Sequence, residues 1–159
     1  MGGMSGTSIC ECTCECGDDL AVCRAAWDEC GAVELGDPTY YAVHHLMVSS
    51  FMAQHPGRLS ASGWDEVAAL LARFVAGLTP EAARREVGAR RREQSLVRGE
   101  PKHLDGVRWT RRISGVSRDT AEAYCADIRA WAESTVLDIA GQVPQTASSA
   151  SSAPSARSA

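Results

Sequence analysis

The chain has 159 residues and a mass of 16.9 kDa, which is the size of one ordinary domain. Its hydrophobic residues include 25 alanines, and an alanine-rich, aromatic-poor composition favours close-packed helices over a sheet. No stretch approaches the ~20 consecutive apolar residues of a membrane-spanning helix, and the first nine residues lack the features of a secretory signal. The net charge of −4 argues against a general nucleic-acid-binding protein. We therefore expect an all-α, cytoplasmic protein with no membrane partner.

The two ends of the chain have the composition of disordered segments. Residues 1–9 are rich in Gly and Ser, and residues 142–159 consist mostly of Ser, Ala, Pro, Gln and Thr. Such segments cannot bury enough apolar surface to offset the conformational entropy that they would lose on folding. The folded domain is therefore predicted to span residues 10–141.

Hydrophobic periodicity and capping residues predict about five helices between these ends. The first helix begins near Asp18 or Asp19 and ends at Gly31 or Gly36. The second begins at Asp37 and continues to the residues before Pro56. The other predicted elements are a helix capped by Ser62, a helix from Pro80 to about Val97, a surface loop over residues 98–115, and a central helix from Ser117 to Ile139. Five helices with short connections indicate a small bundle.

Seven cysteines are the most informative residues of the sequence. Four of them alternate between Cys10 and Gly17, and the full set is Cys10, Cys12, Cys14, Cys16, Cys23, Cys30 and Cys125. An odd count without a secretory signal argues against a disulfide framework. Clustered thiols in a reducing compartment then point to a metal ion, which binds the thiolate form. Cys30 and Cys125 are expected to be ordinary core residues.

The predicted site is one zinc ion bound by Cys14, Cys16, Cys23 and His44. Gly17 permits a sharp bend beside the cysteine run, Cys23 lies early in the first helix, and His44 lies on the apolar side of the second. Which of the four alternating cysteines bind the ion stays open. Cu⁺ is the alternative metal, because alternating cysteines supply soft thiolates.

A second histidine, His55, competes with His44 for the same role. The two are eleven residues apart, or about 16 Å along an unbroken helix at ~1.5 Å per residue, so one ion cannot bind both. His55 has two other interpretations. It could be a cation at the C-terminus of the helix, or it could form a polar site with Gln54.

These residues resemble a bacterial family of unknown function. Its members carry a Cys-x-x-Cys-Gly head, a downstream Cys and a His-x-Leu-Thr-Val-Asp-x-Tyr-x-x-Gln-His-Pro helix, and the similarity runs from about Cys12 to Ile139. Here Thr13 replaces the first cysteine of the head, Ser49 replaces the Asp, and Phe51 replaces the Tyr. The resemblance supports the helical fold and the metal, and it implies no reaction.

Two hypotheses for the function remain at this stage. In the first, four protein ligands enclose a structural ion, and the protein is an accessory or partner-binding module for a protein or a small molecule. In the second, three ligands leave a position for an activated water, and the protein is a zinc-dependent enzyme of small-molecule metabolism. Its acid or base would be His55 in a pocket with Phe51 and Trp64, and its helpers would be Gln54, Asp37 and Tyr41. The sulfur-rich ligand set favours the first hypothesis.

Overall fold

The computed structural model describes residues 14–90, 98–104 and 107–141. Several predictions concern other parts of the chain and lie outside these ranges. They are the disordered ends at residues 1–9 and 142–159, metal binding by Cys10 and Cys12, and the last part of the helix predicted to end near Val97.

Six α-helices occupy most of the described residues, which contain no β-strand. The helices are α1 (Leu20–Gly36), α2 (Pro38–Tyr41), α3 (His44–Ala53), α4 (Ala61–Val75), α5 (Pro80–Arg90) and α6 (Ala121–Ala140). Two short 3-10 segments complete the fold, and we call them the Pro56 turn (Pro56–Arg58) and the Ile113 turn (Ile113–Gly115). This architecture confirms the all-α prediction.

Capping side chains fix where the main helices begin. Asp19 accepts hydrogen bonds from the backbone N–H groups of α1 at Ala21 and Val22, as the acidic N-terminus predicted. The caps of α4 and α6 differ from those predicted. Ser60 caps α4 in place of Ser62, and Thr120 caps α6 in place of Ser117. A hydroxyl two or three residues away can serve equally well, so the sequence does not decide between neighbouring cap residues.

The predicted second helix is divided into α2 and α3. Asp37 caps α2 through the N–H of Thr39, and a turn at Ala42 and Val43, of which only Val43 leaves the helical dihedral angles, separates α2 from α3. Val43 is 1% exposed, so the break directs an apolar side chain into the core. Its carbonyl then accepts the first hydrogen bonds of α3.

The long helix α6 packs against α2, α3 and α4, which agrees with its predicted central position. Its buried face carries Tyr124, Cys125, Ile128, Trp131, Ala132 and Thr135. Helix α1 packs against α2 and the Ile113 turn, and it buries Cys23, Ala26 and Cys30, whereas Leu20 stays half exposed. None of the helices in the described ranges has the length and hydropathy that crossing a membrane requires.

Candidate metal centre

A tight turn places the first two cysteines of the site. The N–H of Gly17 donates to the carbonyl of Cys14 at 2.8 Å, and the N–H of Cys14 donates to the carbonyl of Asp18 at 2.8 Å. Gly17 has φ +89°, a left-handed conformation that side chains disfavour, and a Cβ there would lie 3.1 Å from the Arg112 guanidinium. We call residues 14–18 the cysteine turn. It brings Cys14 and Cys16 to the same buried position.

Cys23 reaches this turn from the first turn of α1. Its N–H donates to the carbonyl of the cap residue Asp19 at 2.9 Å, which fixes the backbone. Its Sγ lies 3.6 Å from the Sγ of Cys16, and both side chains are buried. Three thiols from one short stretch of chain therefore converge, as the sequence analysis expected.

The histidine of the cluster is His55, which follows the end of α3 and is 2% exposed. Its Nδ1 lies 2.6 Å from the carbonyl oxygen of Phe51, and because a carbonyl can only accept, Nδ1 must donate. Its Nε2 is 2.9 Å from Cys14 Sγ and 3.3 Å from Cys23 Sγ. The ring also stacks on Phe51 with 3.9 Å between centroids. A ring held in this tautomer presents Nε2 as a ligand atom.

These four residues form the cysteine–histidine cluster: Cys14, Cys16, Cys23 and His55. Their ligand atoms all lie within 4.8 Å of one another, and all four side chains are buried. A tetrahedral zinc ion with bonds of about 2.3 Å to sulfur and about 2.0 Å to nitrogen would separate its ligand atoms by roughly 3.5–3.8 Å. Three separations in the cluster are 2.9, 3.3 and 3.6 Å, and the others are at most 4.8 Å, so the separations lie on either side of that range. The donor set and its spacing therefore fit one metal ion.

Burial shapes the protonation of the cluster. Loss of solvent raises the pKa of the Cys16 thiol to about 11 and also raises that of Cys23, because it disfavours thiolates. The same loss of solvent lowers the pKa of His55, so the imidazole is neutral, the form that binds metals. A bound cation would reverse the preference of the thiols by stabilising the thiolates directly.

Two acidic side chains fasten the cysteine turn to the rest of the fold. Glu15 accepts a hydrogen bond from the N–H of Gly57 in the Pro56 turn at 2.9 Å. Asp18 accepts from the Ser114 hydroxyl at 2.6 Å and pairs with Arg112 at 3.3 Å. Neither contact was predictable from the sequence, because hydrophobic periodicity does not indicate which loops meet in space. Glu15 thus holds the turn beside the end of α3, and Asp18 holds it beside the Ile113 turn.

His44 lies in a different cluster. Its Nδ1 is 2.6 Å from the carboxylate of Glu34, whose other oxygen accepts from the Tyr124 hydroxyl at 2.7 Å. The structure thus brings His55, and not His44, to the three cysteines. The reason is that the Pro56 turn, at the far end of α3, meets the cysteine turn, while Glu34 of α1 binds the residue that begins α3. We call Glu34, His44 and Tyr124 the Glu34 cluster.

The residues proposed as helpers in the enzyme hypothesis have other partners. The Gln54 amide donates to the carbonyl of Arg111 at 2.9 Å and to Thr135 at 3.1 Å. Asp37 caps α2, and Tyr41 stacks on His44. Trp64 donates its indole N–H to the carbonyl of Ala53. The described contacts of these side chains do not involve the ring nitrogens of His55.

Comparison with known proteins adds a family but no activity. No curated protein matches the chain significantly. No solved structure matches it significantly either. The sequence model of a family of unknown function, DUF5946, matches residues 8–140, which include the whole cysteine–histidine cluster. This match confirms the resemblance to an uncharacterised family. The chain belongs to DUF5946.

Proposed function

We propose that the protein binds one zinc ion through Cys14, Cys16, Cys23 and His55, and that the ion is structural. The observation that carries this proposal is the convergence of four buried ligand atoms within 4.8 Å. An ion there would join the cysteine turn, the start of α1 and the end of α3. Because the unfolded chain has no such site, the binding free energy would stabilise the fold.

The ligand set favours zinc over Cu⁺. Three thiolates and one imidazole in a closed tetrahedron are a usual structural zinc site, whereas Cu⁺ prefers soft sulfur ligands. The hydrogen bond from Nδ1 of His55 to the Phe51 carbonyl directs Nε2 at Cys14 and Cys23, so the nitrogen is an oriented member of the set. Zinc accepts such a mixed set readily.

The same geometry favours a structural ion over a catalytic one. Four protein ligands leave no position for water, and His55 cannot be a proton-transfer group while its Nε2 binds the ion. Three thiolates also donate charge to zinc and weaken it as a Lewis acid. We therefore propose an accessory or partner-binding module, folded over residues 10–141. Neighbouring free thiols suit a reducing compartment, and we place the protein in the cytoplasm.

Metal analysis of the full chain tests the ion. We expect one zinc per chain in protein purified under reducing conditions without added metal, measured by elemental analysis. Competition with Zn²⁺- and Cu⁺-selective chelators under anaerobic conditions identifies the preferred metal. Absence of a stoichiometric transition metal would contradict the proposal. Selective retention of copper would show that the site binds Cu⁺ and not zinc.

Paired variants test the ligands and the closed site. His55→Gln should lose the metal, whereas the matched variant His44→Gln should keep it; the opposite result would overturn the assignment. Substitution by Co²⁺ should give the visible spectrum of a four-coordinate tetrahedral ion with thiolate ligands. A spectrum that changes when small anions are added would show an exchangeable position, and it would restore the enzyme hypothesis.

A further inference from the structure

A cleft opens where three parts of the fold meet: the start of α3, the connection from α4 to α5, and the middle of α6. Its volume is about 350 Å³, which lies in the range of ~300–1,000 Å³ typical of small-molecule sites. None of its lining residues belongs to the cysteine–histidine cluster. We call it the His45 cleft, and its lining includes Val43, His45, Leu46, Phe74, Arg129 and Glu133.

Apolar side chains form one part of this lining. Val43 and Leu46 are buried, and Phe74 and Leu78 are partly buried. The ring of His45 meets the ring of Phe74 edge-on, with 4.8 Å between their centroids, so the imidazole lies against an apolar surface. Because Phe74 and Leu78 keep part of their apolar surface in contact with water, a hydrophobic group in the cleft would be stabilised by covering it.

The polar side chains of the cleft are not engaged by the part of the chain that the structure describes. His45, Arg129 and Glu133 form no hydrogen bond or ion pair with any residue in that part. Arg129 and Glu133 are both exposed, and they lie one turn apart on α6 without pairing with each other. Elsewhere, by contrast, the guanidinium of Arg73 pairs with Glu86 at 2.7 Å. The described residues thus leave one cation and one anion of the cleft available to a ligand.

Charge complementarity defines the ligand that suits these groups. The pKa of His45 lies below its usual value, mainly because the ring is partly buried and also because His44 and Arg129 are nearby; Glu81 opposes this shift only in part, so the imidazole is neutral. The fixed charges of the lining are therefore one positive, on Arg129, and one negative, on Glu133. A carboxylate would form strong hydrogen bonds with the first, and an ammonium group would pair with the second. A ligand with only one of these charges would be repelled by the residue of like charge.

We propose that the His45 cleft binds a free α-amino acid with an apolar side chain. Its carboxylate would pair with Arg129, its ammonium group would pair with Glu133, and its side chain would cover Phe74 and Leu78. Residues four apart on a helix have Cβ atoms only about 6 Å apart, so two charged groups on the same carbon atom can reach both side chains. The proposal gives the accessory module a ligand, and it does not depend on the metal in the cysteine–histidine cluster.

Titration of the metal-loaded full chain tests the proposal by nuclear magnetic resonance. Leucine and phenylalanine are added separately at constant pH and ionic strength, and the ring signals of His45 and His103 are followed. We expect saturable shifts of the His45 signals with at least one of the two amino acids. His103, an exposed histidine outside the cleft, should not respond. Absence of a saturable shift with both amino acids would overturn the proposal.

Analogues of the amino acids test which parts of the ligand are needed. Hydrocinnamate lacks the ammonium group of phenylalanine, phenethylamine lacks its carboxylate, and glycine lacks its apolar side chain; isocaproate and isoamylamine are the corresponding analogues of leucine. We expect each analogue to bind at least about tenfold more weakly than the complete amino acid, because each loses one of the three contacts. Equal binding of an analogue with one charge would contradict the zwitterionic ligand. Equal binding of glycine would contradict the apolar contact.

Matched variants test the two charged residues. Arg129→Gln and Glu133→Gln should each weaken binding by at least about tenfold, because each removes one ion pair with the ligand. Arg24→Gln on α1 and Glu122→Gln on α6 make the same changes in net charge outside the cleft, and they should leave the affinity unchanged. Equal weakening by a variant and its control would reduce the effect to general charge attraction and contradict the site. All four positions are exposed, so the variants should fold normally, which circular dichroism checks.

Discussion

The two ends of α3 carry the same kind of side chain in two different environments. At its start, His44 contacts a carboxylate that also accepts from Tyr124. Beyond its end, His55 directs Nε2 at two of three thiols. In the Glu34 cluster one buried carboxylate is hydrogen-bonded to both of its partners, His44 and Tyr124. In the cysteine–histidine cluster, by contrast, all four side chains offer an atom that can bind a cation.

This contrast shows that the partners of a histidine determine its role more than its position on a helix does. A carboxylate partner makes the imidazole a hydrogen-bond donor, whereas a backbone acceptor on Nδ1 and thiol partners leave Nε2 oriented to bind the proposed metal ion. The two clusters should therefore respond differently to zinc removal, to substitution and to pH.

Loss of a thiol ligand should have the largest effect. With zinc present, we expect Cys23→Ser to lower the free energy of unfolding by about 3–5 kcal/mol, because metal binding contributes directly to folding. Cys125→Ser, at a buried cysteine outside the cluster, serves as the control and should keep its zinc. Denaturant unfolding with and without a chelator measures both variants. Equal responses to the chelator would show that the ion does not stabilise the fold.

Substitution in the Glu34 cluster should destabilise the protein without removing zinc. Glu34→Gln replaces the buried carboxylate that bonds both His44 and Tyr124, and we expect a loss of about 2 kcal/mol. Elemental analysis of the same variant should still give one zinc per chain. If the variant lost both zinc and stability, the two clusters would be coupled and could not be treated as separate environments.

The bend of the cysteine turn should depend on its glycine. Gly17→Ala should lower the free energy of unfolding by about 1–2 kcal/mol and weaken zinc binding, because alanine disfavours φ +89° and its Cβ crowds Arg112. Gly31→Ala is the matched control, since a Cβ at this helical position meets nothing within 4 Å. It should be neutral or stabilising, as measured by thermal unfolding.

The smallest expected effect is a dependence on alkaline pH. Burial is the main reason that the pKa of Tyr124 lies far above its usual range, and the hydrogen bond to Glu34 raises it further. The unfolded chain releases this proton above about pH 10 and the folded chain keeps it, so the unfolding free energy should fall by up to ~1.4 kcal/mol per pH unit there. Tyr124→Phe should show a shallower decline. Parallel pH profiles for the two proteins would contradict this assignment.

The helices were predictable because their signals are local. Asp19 caps α1, Pro38 opens α2 and the apolar period of α6 is sustained, and each of these patterns acts within a few residues. The convergence of Cys14, Cys16 and Cys23 was also local, since ten residues contain them all. The identity of the histidine is not a local property, because the choice between His44 and His55 depends on which end of α3 meets the cysteine turn.

Buried acidic residues were the other feature that the sequence concealed. Glu34 lies on the inward side of α1 and is 3% exposed, although an acidic residue near a helix end is normally solvated. Its partners come from α3 and α6, ten and ninety residues further along the chain. Periodicity within one helix carries no information about partners at such distances.

The separation of Cys14 and His55 by 41 residues has a topological consequence. An ion bound to both ends turns α1, α2 and α3 into a closed ring. For a disulfide closing a loop of this length, the chain-entropy relation gives a stabilisation of about 4 kcal/mol through restriction of the unfolded chain. The metal would provide this constraint where disulfides are reduced. Closing this ring requires its two ends to meet across 41 residues, and metal binding would offset the loop entropy that this costs.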